Sequence, residues 1–93
     1  MTAYAMVTIT VTDHNTFSAY REHAGAALAK HKAKSFAVSK EGQVIEGDGN
    51  APDVSVILEF PDRVHALAWI NDPDLAKVHA LRQSAGQSKI ILM

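Results

Sequence analysis

Between Tyr4 and Thr12 the chain alternates without a break, with Ala5, Val7, Ile9 and Val11 on one side and Tyr4, Met6, Thr8, Thr10 and Thr12 on the other. A period of two in a β-branched run predicts a half-buried strand. The period then lengthens: Phe17, Tyr20, Ala24, Ala27, Leu28 and His31 recur at helical spacing. Asp13 precedes them as an N-cap, and Lys30, Lys32 and Lys34 gather at the far end, where positive charge suits the helix dipole. These features predict an amphipathic helix from Asp13 to about Lys32, weakened inside by Gly25 at a cost of ~1 kcal/mol.

Ser35–Ser39 predicts a second strand, with Phe36 and Val38 on one face and Ser35, Ala37 and Ser39 on the other. Glu41-Gly42 suits a turn, with Val44-Ile45 as an extension of the hairpin, and Gly47–Asp53 is turn chemistry throughout. A third strand is expected over Val54–Phe60, stopped by Pro61-Asp62, which also caps a helix carrying Val64, Leu67, Ala68, Trp69 and Ile70. Asp72-Pro73 opens a second helical segment through about Ala85, Gly86 ends it, and Lys89–Met93 closes the chain as a strand.

The order β-α-β-β-α-β with right-handed crossovers predicts an α+β fold. Its four-stranded antiparallel sheet has spatial order 4-1-3-2, with the helices on one face. Val7, Ile9, Val11, Phe36, Val38, Leu58 and Phe60 are expected on the helix side. Tyr4, Met6, Thr8, Thr10, Ser35, Ala37, Ser55, Ile57, Glu59, Ile91 and Met93 are expected on the other. That second face is too apolar for a purely solvated surface, and a second copy of the same sheet is its simplest cover.

The chain resembles the DUF1330 domains along nearly its whole length. The resemblance is carried by Val7–Asp13 (VTITVTD), Phe17, Tyr20, Ile45–Asp48 (IEGD), Val56–Asp62 (VILEFPD), Ala66–Trp69 (ALAW), Asp72–Leu75 (DPDL) and Ala80–Arg82 (ALR). It implies a single ferredoxin-like domain over residues 1–93, paired as a dimeric α/β barrel in which two sheets face each other around a pocket. It implies no reaction. Lys32-Ala33-Lys34 stands where such domains often carry a glycine pair, and Ile70 and Leu75 replace aromatics.

Composition narrows the partners. With 47% hydrophobic and 20% charged residues in 93, the chain has the make-up of one globular domain. A formal charge of −1 supplies no basic face for nucleic acid or anionic membrane. Without cysteine there is no disulfide, thiolate chemistry or zinc–thiolate site. The chain has no apolar run of ~18 residues and Met1–Tyr4 lacks a basic leader, so cytoplasm is the expected location.

Glu59 is the leading catalytic candidate, because it interrupts the apolar run of the third strand. The topology places it near Tyr4, Met6, Ser35, Ile91 and Met93, and places Arg82 and Lys89 at the opposite end of the sheet. A carboxylate held against Met and Ile without a nearby cation would be desolvated into a stronger general base. The alternative is that Glu59 lies at an exposed barrel mouth or makes a structural hydrogen bond across the dimer. Tyr4, Met6, Thr8, Ser35, Ile57 and Ile91 would line the pocket. Arg82 would clamp an anionic ligand, or pair with Asp13 or with a helix C-terminus. The histidines at 14, 23, 31, 65 and 79 match no metal-binding spacing and point to structural or solvent roles, with His79 on a polar flank. No glycine-rich nucleotide loop precedes a helix, so no cofactor is expected, and Trp69 belongs to the core. Two readings of the barrel stand side by side. One is a cofactor-free isomerase, lyase or oxygenase with Glu59 as base; the other is a non-catalytic ligand-binding or accessory homodimer with a solid-packed barrel.

Overall fold

The computed structural model describes residues 1–93. Strand β1 (Ala3–Val11) leads into α1 (His14–Lys30), β2 (Lys34–Ser39) and β3 (Val54–Phe60). Helix α2 (Arg63–Asn71), a 3₁₀ turn (Pro73–Leu75), α3 (Ala76–Ser84) and β4 (Gly86–Leu92) complete the chain. All three strand pairings are antiparallel, in the order β2-β3-β1-β4, which is the expected topology. The result is an α+β, ferredoxin-like fold. Its smallest dimension is 17 Å, the thickness of one helical layer on one sheet, so one sheet face is bare in a single chain.

Helices α1 and α2 each start where a carboxylate meets free backbone donors. Asp13 accepts from Thr16 N at 3.1 Å and from Thr16 Oγ1 at 2.8 Å, and Asp62 accepts from His65 Nδ1 at 2.7 Å and from His65 N at 2.8 Å. These bonds hold both carboxyls below their usual range. Asp72 caps the 3₁₀ turn through Asp74 N at 2.9 Å and also accepts from Lys30 Nζ and His31 Nε2, each at 2.7 Å. That one carboxylate ties the end of α1 to the α2–α3 junction, and these partners draw it far below the ordinary carboxylate range.

Between α1 and β2, Lys32 adopts φ +59°, a left-handed conformation that glycine takes without penalty and lysine does not. The resemblance leads a glycine pair to be expected at Lys32-Ala33-Lys34, and here lysine holds the turn. The core lies between helices and sheet, with Phe60 (1% exposed), Trp69, Leu58, Ala5, Val7 and Leu28 at its centre. Phe60 and Trp69 meet at 5.6 Å between ring centroids.

Helix α2 turns Ala66 and Trp69 into the core, whereas Val64, Leu67 and Ala68, expected to face inward, are exposed. Three further sequence expectations are corrected. Val44-Ile45 forms no strand, and Ile45 is fully solvated. Strand β4 begins three residues earlier than expected, because Gly86, read as a helix terminator, already pairs with Val11. The third correction concerns β2, where the register shifts between Ser35 and Ala37. Ser35 lies opposite Leu58 and Val38 opposite Val56, both on the helix side, while Lys34, Ala37 and Ser39 lie opposite Glu59, Ile57 and Ser55 on the open side. The extra residue of the bulge is Phe36, whose ring packs edge-on against Tyr4 at 5.6 Å. Phe36 therefore joins the open face and Ser35 leaves it, the reverse of strict alternation.

Candidate functional site

The open sheet face gathers most of the residues expected there. Tyr4 lies opposite Glu59, Met6 lies between Ile57 and Ile91, and Thr8 lies between Ser55 and Lys89. Around Glu59 the expectation fails on one point. Lys34 Nζ stands 3.3 Å from Glu59 Oε2, and the Tyr4 hydroxyl donates to Glu59 Oε1 at 3.4 Å. The bulge explains the lysine, since it sets Lys34 directly across the ladder from Glu59. The carboxylate thus has a cation and a hydroxyl as partners, and the isolated base anticipated from the topology is not what the fold builds.

Ser35 takes part in a different feature. Between α1 and the helix side of β2 and β3 lies a cavity of about 300 Å³, and 11 of its 15 lining residues are hydrophobic. Phe17, Tyr20, Ala24 and Leu28 form its α1 wall, Val38, Val54, Val56 and Leu58 its sheet wall, and Trp69 and Arg82 also line it. Helix α1 meets this space with the stripe that the sequence periodicity picks out, so the cavity reaches into the hydrophobic layer. It is open to solvent where the exposed Arg21, Ser35, Val38 and Lys40 line it.

Arg82 is 2% exposed and does not pair with Asp13; of the partners expected for it, the helix C-terminus is at hand, since it lies in the last turn of α3. Asp13 is occupied by Thr16, and none of the five ion pairs of the protein includes Arg82. Its Nη1 donates to His79 Nδ1 at 2.8 Å, and its guanidinium lies over the rings of Trp69 (5.6 Å) and Tyr20 (5.7 Å). Cation–π attraction and the negative end of α3, whose last turn carries Arg82, help offset the burial of this charge.

His79 is the second surprise, at 5% exposed instead of on a polar flank. It stands edge-on to Trp69 at 4.8 Å. Its Nε2 lies 3.0 Å from the Trp69 carbonyl, which can only accept, so Nε2 carries the proton and Nδ1 accepts from Arg82. The Arg82 Nε and Trp69 Nε1 hydrogens have no partner in the chain, although both atoms are buried. Sequence reasoning missed this cluster. The spacing of Leu75, His79 and Arg82 on one helical stripe was the available signal.

Burial pushes His79 below its ordinary range, with Arg82 acting in the same direction and the bond to Trp69 opposing. A histidine held neutral in the fold but free to protonate when unfolded makes stability fall as pH drops below ~6.5, and leaves its contribution whole above that value. Thermal melts between pH 8 and pH 5 should therefore show a downward slope that His79→Gln flattens. His79 resonances should titrate below ~6.5; titration at or above that value would contradict the burial argument.

The other histidines have structural partners or face solvent: His31 binds Asp72 and His65 binds Asp62, while His14 and His23 are exposed. No three His, Asp or Glu side chains converge as a metal site. No helix is long and apolar enough to cross a membrane.

Comparison with known proteins places the fold. The family model "Domain of unknown function (DUF1330)" matches residues 2–93. A protein of unknown function from Rhodopseudomonas palustris superposes with TM-score 0.84 at 16% identity, covering 99% of this chain and 80% of that one. A dimeric ferredoxin-like protein of unknown function from Jannaschia sp. CCS1 gives TM-score 0.68 at 9% identity, over 100% and 98% of the two chains. SnoaB, a cofactor-independent oxygenase from Streptomyces nogalater, gives 0.64 at 11% identity, over 99% and 88%. At these identities the likeness is one of fold alone. No curated protein shows significant similarity.

Proposed function

The chain belongs to the DUF1330 family, and we propose that it works as a homodimer in which each protomer holds a small organic molecule in the cavity between α1 and its own sheet. The cavity carries this reading. About 300 Å³ with a largely hydrophobic lining suits a small ligand, whereas close-packed interiors leave few voids larger than a water molecule. Pairing through the open sheet faces accounts for the exposed Phe36, Ile91 and Met93, and the dimeric Jannaschia neighbour supports it.

This reading moves the ligand from the space between two sheets to the interior of each protomer. Glu59, with Lys34 and Tyr4 on its two oxygens, then serves the sheet face rather than acting as a base. Tyr4, Met6, Thr8, Ile57 and Ile91 become assembly residues, and Ser35 and Arg82 remain ligand contacts. That a protein of the same fold is a cofactor-independent oxygenase makes catalysis in such a cavity a chemical option, one in which the substrate itself supplies the reactive centre.

Native mass spectrometry of protein taken directly from the cells that make it tests the proposal. The expected species is a dimer of twice the 10.0 kDa chain mass with up to two bound small molecules that leave on heating. Ala24→Phe, which places a ring inside the cavity wall, should abolish the adduct and keep the dimer. A ligand-free wild-type dimer, or an adduct unaffected by Ala24→Phe, would refute the assignment.

A further inference from the structure

Every charged residue lining the cavity is a cation: Arg21, Lys40 and Arg82 contribute to its walls, and no Asp or Glu does. The chain as a whole carries a formal charge of −1, so this is a local selection of sign. Arg82 is buried without a carboxylate, which is costly unless something else answers the charge. Its Nη1 is taken by His79, and its Nε–H, like the Trp69 Nε1–H beside it, is enclosed by protein without a partner. Both side chains are more than nine-tenths buried, so bulk water does not satisfy them.

We propose that the cavity selects a small organic anion, a carboxylate or enolate on a planar apolar body, whose charge answers the guanidinium of Arg82 in the cavity wall. The inference rests on the reading of the cavity as a ligand site and specifies what enters it. The rings of Phe17, Tyr20 and Trp69 in the wall fit a planar body, and an anionic oxygen supplies the negative partner that the Arg82 guanidinium lacks. His79 acts as a positioning residue. With its Nε2–H fixed on the Trp69 carbonyl, its Nδ1 accepts from Arg82 Nη1 and aligns the guanidinium without adding a charge of its own.

Trp69 is the only tryptophan, so its fluorescence reports on the site directly. The test titrates the intact protein with 2-naphthoate and with the neutral 2-naphthamide, following Trp69 emission and the side-chain N–H resonances of Trp69 and Arg82. Naphthoate should bind about tenfold more tightly than the amide, as expected of hydrogen bonds to a charged partner, and should shift both resonances. Arg82→Met, which keeps the bulk and removes the charge, should erase that preference while the amide still binds. If Arg82→Met fails to fold, the resonance shifts in the wild type still decide the matter. Equal binding of the two probes would overturn the anion assignment and leave the cavity as a site for neutral molecules. Binding of neither would overturn both. Naphthoate that shifts Tyr4 and Phe36 on the open sheet face instead would also overturn it.

Discussion

Gly86→Ala should destabilise the protein by about 3 kcal/mol, a large share of what a domain this small has to lose. Gly86 is the first residue of β4 and pairs with Val11 of β1. A Cβ built there would overlap the Thr10 carbonyl oxygen and crowd the backbone nitrogen of Thr12. The obstruction is backbone rather than a flexible side chain, so relief requires β4 to move away from β1. The same segment also holds the Ala85 carbonyl, which accepts from Thr12 N at 2.8 Å and Asp13 N at 3.0 Å, so a shift would loosen the start of α1 as well. Gly25→Ala is the matched control. Gly25 is exposed in the middle of α1 with nothing near the added methyl, and the change should stabilise by ~1 kcal/mol through helix propensity. Urea unfolding of the three proteins measures both effects. A Gly86→Ala midpoint equal to wild type would mean that the strands are not in contact there.

Most of the architecture is legible in the chain because the hydrophobic period changes where the elements change. Alternation over Tyr4–Thr12 and Val54–Phe60 and the helical stripe from Phe17 to His31 yield the elements, and right-handed connections then leave one strand order. What escapes is set by single residues and by gaps. The six residues of β2 alternate acceptably on paper, but β2 is an edge strand, and its pairing with β3 accommodates one extra residue at Phe36. That bulge exchanges the faces of Ser35 and Phe36 and delivers Lys34 to Glu59, so one local irregularity alters the chemistry inferred for three residues.

The cavity escapes for a different reason. Periodicity reports which side chains face inward, not whether they fill the space they face. Burial of Arg82 and His79 is equally hidden, since both residue types are usually found near water. From the sequence, an anionic ligand is one of three partners open to Arg82, beside Asp13 and a helix C-terminus. Its depth, its partner His79 and the neighbouring free donor of Trp69 follow only from the packing of α3 against α1 and α2.

Met6→Arg should turn the proposed dimer into a monomer, the largest effect on assembly expected from a single substitution. Met6 is central to the open face, between Ile57 on β3 and Ile91 on β4, and the apolar surface continues through Phe36 and Met93. In an isologous pairing of two such faces each substitution appears twice. Met6→Arg then places two unpartnered cations among aliphatic side chains, at a cost on the order of 3–5 kcal/mol. Glu22→Arg, exposed on α1 on the far side of the helical layer, changes the charge by the same sign and should leave assembly untouched. Sedimentation velocity at micromolar concentration should give twice 10.0 kDa for wild type and Glu22→Arg, and the single-chain mass for Met6→Arg. Because the fold is coupled to pairing by mass action, the Met6→Arg protein should also melt lower and lose the concentration dependence of its melting temperature. The cavity lies on the opposite side of the sheet, so a Met6→Arg monomer that remains folded should still quench Trp69 with 2-naphthoate. A Met6→Arg protein that sediments with wild type would place the dimer contact somewhere other than the sheet face.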